Sequence, residues 1–179
     1  MRRAMLLTAV CVLAVIGSAR AEDKKGTSVE LAGMKSTTPA TWKEETPSNN
    51  MRMAQFKIPK AEGDKDDAEL AVFAFPGGSG SVKDNLARQL VKFIEEGRKE
   101  KVDKLTVGGI EATYQDVSGT YKKKAFPMAE KFTPTEGYRQ LYVVFEAKDG
   151  KQYYLTLLGP TKTVEAEKKG FEEFLKNFK

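Results

Sequence analysis

Histidine is absent from the 179-residue chain, and its one cysteine, Cys11, lies inside an apolar N-terminal run. The groups left for acid, base or nucleophilic work are therefore Ser, Thr, Lys, Tyr and the carboxylates. A Ser-His-Asp triad is impossible. The most conspicuous polar set is Asp116, followed by Ser118 and Tyr121, at what reads as a strand exit, and the sequence does not place Asp116 face to face with a second carboxylate such as Glu111 or Glu146. Asp, Ser and Gly are also ordinary strand-end residues, so the expectation is no catalytic site, with a histidine-free hydrolase as an alternative.

Two further segments mimic binding sites. Gly77-Gly78-Ser79-Gly80-Ser81 follows a strand and precedes a helix, so the backbone N–H groups of Gly78, Ser79, Gly80 and Ser81 could receive an anion. The spacing matches neither the P-loop nor the dinucleotide fingerprint, and the competing reading is that Ser81 caps the helix together with Asp84. Asp64, Asp66, Asp67 and Glu69 could offer oxygens to a hard cation, but Ala68 and Glu69 stand where a calcium loop needs a ligand and a glycine. A solvated hairpin loop is expected there, with no metal and no cofactor.

The segment Lys122-Lys123-Lys124-Ala125-Phe126-Pro127-Met128-Ala129-Glu130-Lys131-Phe132-Thr133-Pro134 interleaves positive charge with large apolar residues. It reads as a long connection between strands, and such connections are commonly functional. Lys122, Lys123, Lys124, Phe126, Met128 and Phe132 are the candidate binding residues, suited to an acidic protein surface or an anionic membrane face. Trp42, the only tryptophan, is expected in the core.

Several elements must position these groups. Met1, Arg2 and Arg3 precede an apolar run from Ala4 to Ile16, and Ala19-Arg20-Ala21 offers a cleavage site, so residues 1–21 read as a signal peptide. That run falls short of the ~20 residues that span a bilayer. Export to a periplasm or beyond the cell is expected, with no transmembrane segment after cleavage. Cleavage removes Cys11 and three arginines but no acid, leaving 27 basic against 25 acidic residues, +2 instead of +5. Near balance argues against a nucleic-acid partner; a protein or another envelope component is expected.

Residues 22–27 read as a flexible leader and 28–179 as one domain. Val29 to Thr38 reads as one weak strand, Met51 to Ile58 as an alternating strand, and Ala68 to Phe75 as a strand buried on both faces. Val82, Leu86, Leu90, Phe93 and Ile94 recur at helical spacing, with Gly97 a fitting stop. Val102 to Val107 and a half-exposed strand from Ile110 flank Gly108-Gly109, and Tyr138 to Ala147 and Gln152 to Leu158 flank the Asp149-Gly150 turn. Val164, Phe171, Phe174, Leu175 and Phe178 share one face of a C-terminal helix. The fold class expected is α+β: a mainly antiparallel sheet with two helices packed on it.

Trp42-Lys43-Glu44-Glu45 with Pro47, Met51-Arg52-Met53-Ala54-Gln55-Phe56, Ala68-Glu69-Leu70-Ala71-Val72-Phe73 and Asp116-Val117-Ser118-Gly119-Thr120-Tyr121 resemble a family of small secreted bacterial proteins of unknown function. In element order the chain also resembles the fold class of PsbP, the extrinsic photosystem protein. That likeness implies a layered α/β/α sandwich used for docking onto larger assemblies, and it transfers no functional residue. The leading expectation is an exported, non-enzymatic accessory domain that docks on another macromolecule. The rival is a small-ligand carrier with a pocket between sheet and helix, lined by Phe73, Phe75, Tyr142 and Tyr153.

Overall fold

The computed structural model describes residues 25–126 and 128–179, so the expected signal peptide and the first half of the expected leader, residues 22–24, lie outside the described residues. The expected single strand at 29–38 is a hairpin, β1 (Ser28–Leu31) and β2 (Met34–Thr37). The chain reverses at Ala32-Gly33, both with positive φ (52° and 79°), and alanine there gives no turn signal in the sequence. Seven strands then build the main sheet: β3 (Lys43–Glu45), β4 (Arg52–Ile58), β5 (Ala68–Pro76), β6 (Lys99–Val107), β7 (Ile110–Lys124), β8 (Phe132–Glu146) and β9 (Lys151–Pro160). Their order is β3-β4-β5-β9-β8-β7-β6, with every neighbour antiparallel. Gly108-Gly109, with φ of 57° and 82°, makes the tight β6–β7 turn that needs left-handed residues.

Helix α1 (Val82–Leu90) lies on one face of this sheet and α2 (Thr161–Lys176) on the other. The two are held by different physics. α2 buries Val164, Phe171, Phe174 and Leu175, and with Phe178 and Trp42 they meet Leu141, Val143, Phe145, Tyr153, Leu155 and Leu157 in the main core. The β1–β2 hairpin closes that layer, with Ser36 Oγ donating to Phe174 O at 2.7 Å. Trp42 is buried, its indole N–H donating to Glu167 Oε2 at 2.7 Å.

α1 sets Leu86 against Phe73, Phe75, Tyr142, Val144 and Tyr154 and adds a layer of polar contacts. Gln115 and Gln140 project from β7 and β8 and are fully buried; Gln115 Nε2 donates to Leu86 O and Glu100 Oε1, and Gln140 Nε2 to Gln89 Oε1. The half-exposed strand expected from Ile110 is therefore corrected: Thr113 and Gln115, on its polar side, are buried. The expected helix also ends early, at Leu90. Phe93 leaves helical geometry to fill a second cluster with Val117 and Tyr138, and Ile94 N donates to Thr120 O at 2.8 Å. The Leu90 carbonyl accepts instead from Phe93 N and from Arg98 Nη1, both at 3.1 Å.

Lys92 occupies this polar layer, its ammonium donating to Gln89 Oε1 at 2.6 Å. Burial pulls its pKa down to about 8, with the positive charge of Arg52 acting in the same direction. Below pH 8 the lysine is charged in both folded and unfolded chains, and burial opposes folding. Between pH 8 and the unfolded value of 10.5 the folded chain sheds its proton first, so this group's contribution to stability rises with pH. Lys92→Met is expected to raise stability at pH 7 by about 1–3 kcal/mol, a margin that closes towards pH 10.5. Paired thermal melts at the two pH values check this; a less stable variant at pH 7 contradicts it.

Candidate docking site

The expected long loop over 122–134 is mostly strand. β7 and β8 are 15 residues each, whereas β6 has 9 and β9 has 10. β6 is paired with β7 as far as Lys99↔Ser118, and β9 with β8 as far as Tyr138↔Pro160. β7 and β8 continue pairing with each other through Tyr121↔Thr135, Lys122↔Pro134, Lys123↔Thr133 and Lys124↔Phe132. Residues 119–124 and 132–137 consequently form a two-stranded arm beyond the sheet, roughly 17 Å long from Gly119 to Lys124 at ~3.4 Å per residue. A register shift between Gly119 and Tyr121 marks its root. Gly119 (φ 151°) lets the strand pass Arg98, whose Cα a β-carbon would meet at 3.2 Å.

The root is braced on both sides. On the β7 side, Lys122 N donates to Lys92 O at 2.8 Å, and Tyr121 packs between Phe93 (centroids 5.4 Å) and Tyr138 (5.5 Å, stacked). On the β8 side, Asp66 Oδ2 accepts from Tyr138 Oη at 2.6 Å and from Lys123 Nζ at 2.9 Å. The Tyr138 and Lys123 hydrogen bonds hold the Asp66 carboxyl below its usual pKa. Burial, with Asp66 second, pushes the Tyr138 phenol up, so it remains a donor.

The acidic loop is thus more than a solvated turn. Asp64 Oδ2 accepts from Thr163 N and Oγ1 at 2.9 and 2.6 Å, capping an α2 whose own N-cap, Pro160, supplies no side-chain acceptor. Asp67 accepts from Lys60 N at 2.9 Å and pairs with Lys57 at 3.0 Å. The Asp64 role does not show in the sequence, because Thr163 lies 99 residues away, whereas the Asp67 contacts are local to the β4–β5 connection.

At the tip, Phe126 is 61% exposed, Met128 87% and Phe132 42%. Lys122 Nζ sits 5.8 Å above the Phe132 ring, and Lys123 is tied to Asp66. Lys124 and Lys131 have no ion pair among the described residues. The six candidate residues of this segment therefore share one protrusion, with apolar side chains at its end and lysines behind them.

The other candidates are dispersed. Gly78 N donates to Phe75 O, and Ser79 N to Tyr154 Oη at 3.0 Å, while Gly80 O accepts from Asn85 Nδ2. Ser81 Oγ accepts from Asp84 N at 3.1 Å as the N-cap of α1 and donates to Asp84 Oδ2 at 2.6 Å. Asp116 sits beside a cleft of about 220 Å³ lined also by Lys99, Lys101, Ser118 and Arg139. Arg139 grips it with two hydrogen bonds of 2.8 and 2.6 Å, and Lys168 approaches to 3.5 Å. Burial works against ionisation, but the Arg139 and Lys168 contacts outweigh it and the Asp116 pKa lies below the usual value, making it a poor base. Glu111 pairs instead with Lys104 at 2.8 Å, and Tyr121 lies on the opposite sheet face from Asp116. The four aromatics of the carrier reading also divide between faces. Phe73, Phe75 and Tyr142 lie on the α1 side, whereas Tyr153 stacks on Phe145 in the α2 core, so they do not line one pocket.

With this geometry in view, the architecture is matched by known structures. The solution structure of cyanobacterial PsbP (CyanoP) from Synechocystis sp. PCC 6803 superposes with a TM-score of 0.52 at 11% identity, covering 95% of this chain and 98% of that one. The chain has the PsbP-like α+β fold. LpqN, involved in cell envelope biogenesis of Mycobacterium tuberculosis, is a weaker likeness: TM-score 0.47, 15% identity, covering 84% of this chain and 81% of that one. No family model and no curated protein sequence matches the chain.

Asp66→Asn is expected to loosen the arm's root while leaving global stability within about 1 kcal/mol, because the ion pair it removes is half exposed. Amide exchange at residues 121–124 and 132–135 should accelerate, with rates in β5 and β9 unchanged. In the parent chain the same acceleration should appear as pH falls through the lowered Asp66 pKa. Unchanged exchange in the arm would show that Asp66 is no brace.

Proposed function

We propose that this chain is an exported, non-enzymatic accessory domain that docks on another component of the cell envelope through the tip of the β7–β8 arm. One observation carries the reading: three large apolar side chains, Phe126, Met128 and Phe132, stand exposed together at the end of a protrusion whose root is fixed. Exposed apolar clusters are costly to keep in water and mark interaction sites. Core packing does not account for them, because the nearest aromatic cluster, Phe93, Tyr121 and Tyr138, closes at the root. Export is supported by the signal-peptide pattern of residues 1–21. The non-enzymatic reading draws on the chemistry of the polar groups: Asp116 is fastened as an anion, and no histidine exists to share its proton.

Two results should accompany each other. A photo-crosslinking residue at Phe126 in the native secreting cell gives one discrete adduct, while the same probe at Glu111, itself exposed near the opposite end of β7, gives none. Phe126→Ser with Phe132→Ser abolishes that docking with a stability change within about 1 kcal/mol. A loss of several kcal/mol would make these residues core, and equal adducts at both positions would remove the arm as the contact.

A further inference from the structure

The partner of the arm can be read more narrowly. Resting on the docking assignment above, we infer that the tip inserts into the headgroup region of an anionic lipid bilayer, with Phe126 and Met128 as the inserted wedge and the lysines as a collar on the phosphates.

The composition of the tip favours lipid over protein. Residues 122–132 carry Lys122, Lys123, Lys124 and Lys131 against Glu130 alone, a net charge of +3, and with Lys123 paired to Asp66 it is Lys122, Lys124 and Lys131 that remain for a partner. Hot spots at protein interfaces are enriched in Trp, Tyr and Arg, and interfaces are depleted in Lys, although Phe and Met are enriched there as well. The tip has none of the first three and is rich in the fourth. A lysine has a long apolar stem and a compact ammonium, so it lies along a wedge while its charge stays at headgroup level. Lys122 Nζ lies 5.8 Å from the Phe132 ring centroid, so charge and apolar surface are side by side at the tip.

Shape points the same way. A specific protein interface buries roughly 800 Å² on each partner, which a short turn carrying Phe126 and Met128, with Phe132 beside it, does not supply by itself. Interfacial insertion needs only a shallow apolar wedge, and the attraction of each nearby lysine to an anionic surface adds to it. The most exposed apolar residue of the tip, Met128, is unbranched and flexible, suited to a fluid acyl boundary. The arm's reach beyond β6 and β9 lets the tip touch a plane without the sheet edge colliding with it.

The test uses the chain from residue 22 onward with vesicles of phosphatidylglycerol and phosphatidylcholine in equal parts, and vesicles of phosphatidylcholine alone. Sedimentation with the anionic vesicles is expected, with at least a tenfold weaker partition onto neutral ones. Phe126→Ser with Met128→Ser, and separately Lys124→Gln with Lys131→Gln, should each lower partition roughly tenfold. Raising salt to about 0.5 M, where screening acts over roughly 4 Å, should weaken it further. Phe126→Trp gives a depth readout: its emission should shift to the blue on adding anionic vesicles, against the constant background of buried Trp42. Circular dichroism confirms that each variant is folded. Equal partition onto neutral vesicles, or binding unchanged in Phe126→Ser with Met128→Ser, overturns the inference. Absence of vesicle binding alongside a discrete protein adduct from position 126 in cells also overturns it while leaving the docking assignment standing; absence of both removes the two together.

Discussion

Strand pairing has to satisfy backbone groups on both sides, and a strand that outlasts its neighbours must finish the task with one partner. β7 and β8 outlast β6 and β9, and they resolve the mismatch by pairing with each other beyond Ser118 and Tyr138. Everything specific about the arm depends on this. A bare two-stranded ribbon is marginal in water, so its root is braced by the 92–94 segment on one edge and by Asp66 on the other. The braces end where the lysines begin to face solvent, which separates a stiff stem from a tip that contributes little to the core.

The sheet beneath the arm has two unlike faces. On the α2 side, aromatic and aliphatic residues pack in the ordinary way, and at about 25 cal/mol per Å² of buried apolar area that face dominates stability. On the α1 side, glutamines from β7 and β8 meet backbone and amide groups of the helix, and Asn85 is buried by donating to Gly80 O and Ser81 O. Such contacts add directional specificity, since a buried amide is costly unless its partner is in place. They also fix the end of α1, from which Lys92 and Phe93 reach the root of the arm. Seating α1 and bracing the arm are therefore one structural problem.

Much of this organisation is legible in the residues. The unbroken apolar run at β5, the Asp149-Gly150 and Gly108-Gly109 turns and the aromatic stripe of α2 each follow a period or a turn chemistry that has few alternatives. The misreadings share a cause: a local pattern was consistent with one element while a distant contact selected another. Phe93 and Ile94 match the helical spacing of α1, but Phe93 is taken by Tyr121 and Val117. The three lysines and Pro134 read as loop, yet Pro134 is tolerated in β8 because the arm has no further strand beside it to require its missing N–H. The apolar and cationic residues of the tip were visible as a set; the arm that carries them was not. Gly119 and Gly137, both with positive φ, bracket the excursion and are the one sequence signal that could have placed it. Asp64 and Asp66, read as solvated, act through Thr163 and Tyr138, partners far away in sequence.

The central claim is that the tip is dispensable to the fold and indispensable to docking. It is tested most directly by replacing residues 124–132 with Asn-Gly, so that Lys123 and Thr133 flank a two-residue hairpin turn, and measuring in one series the melting temperature and the fraction of exported protein that fractionates with the envelope. The expected result is a melting temperature within a few degrees of the parent, at ~1 kcal/mol per several degrees for a domain of this size, with the envelope-bound fraction lost. A collapsed melting temperature, or a shortened protein that remains envelope-bound, would contradict the account.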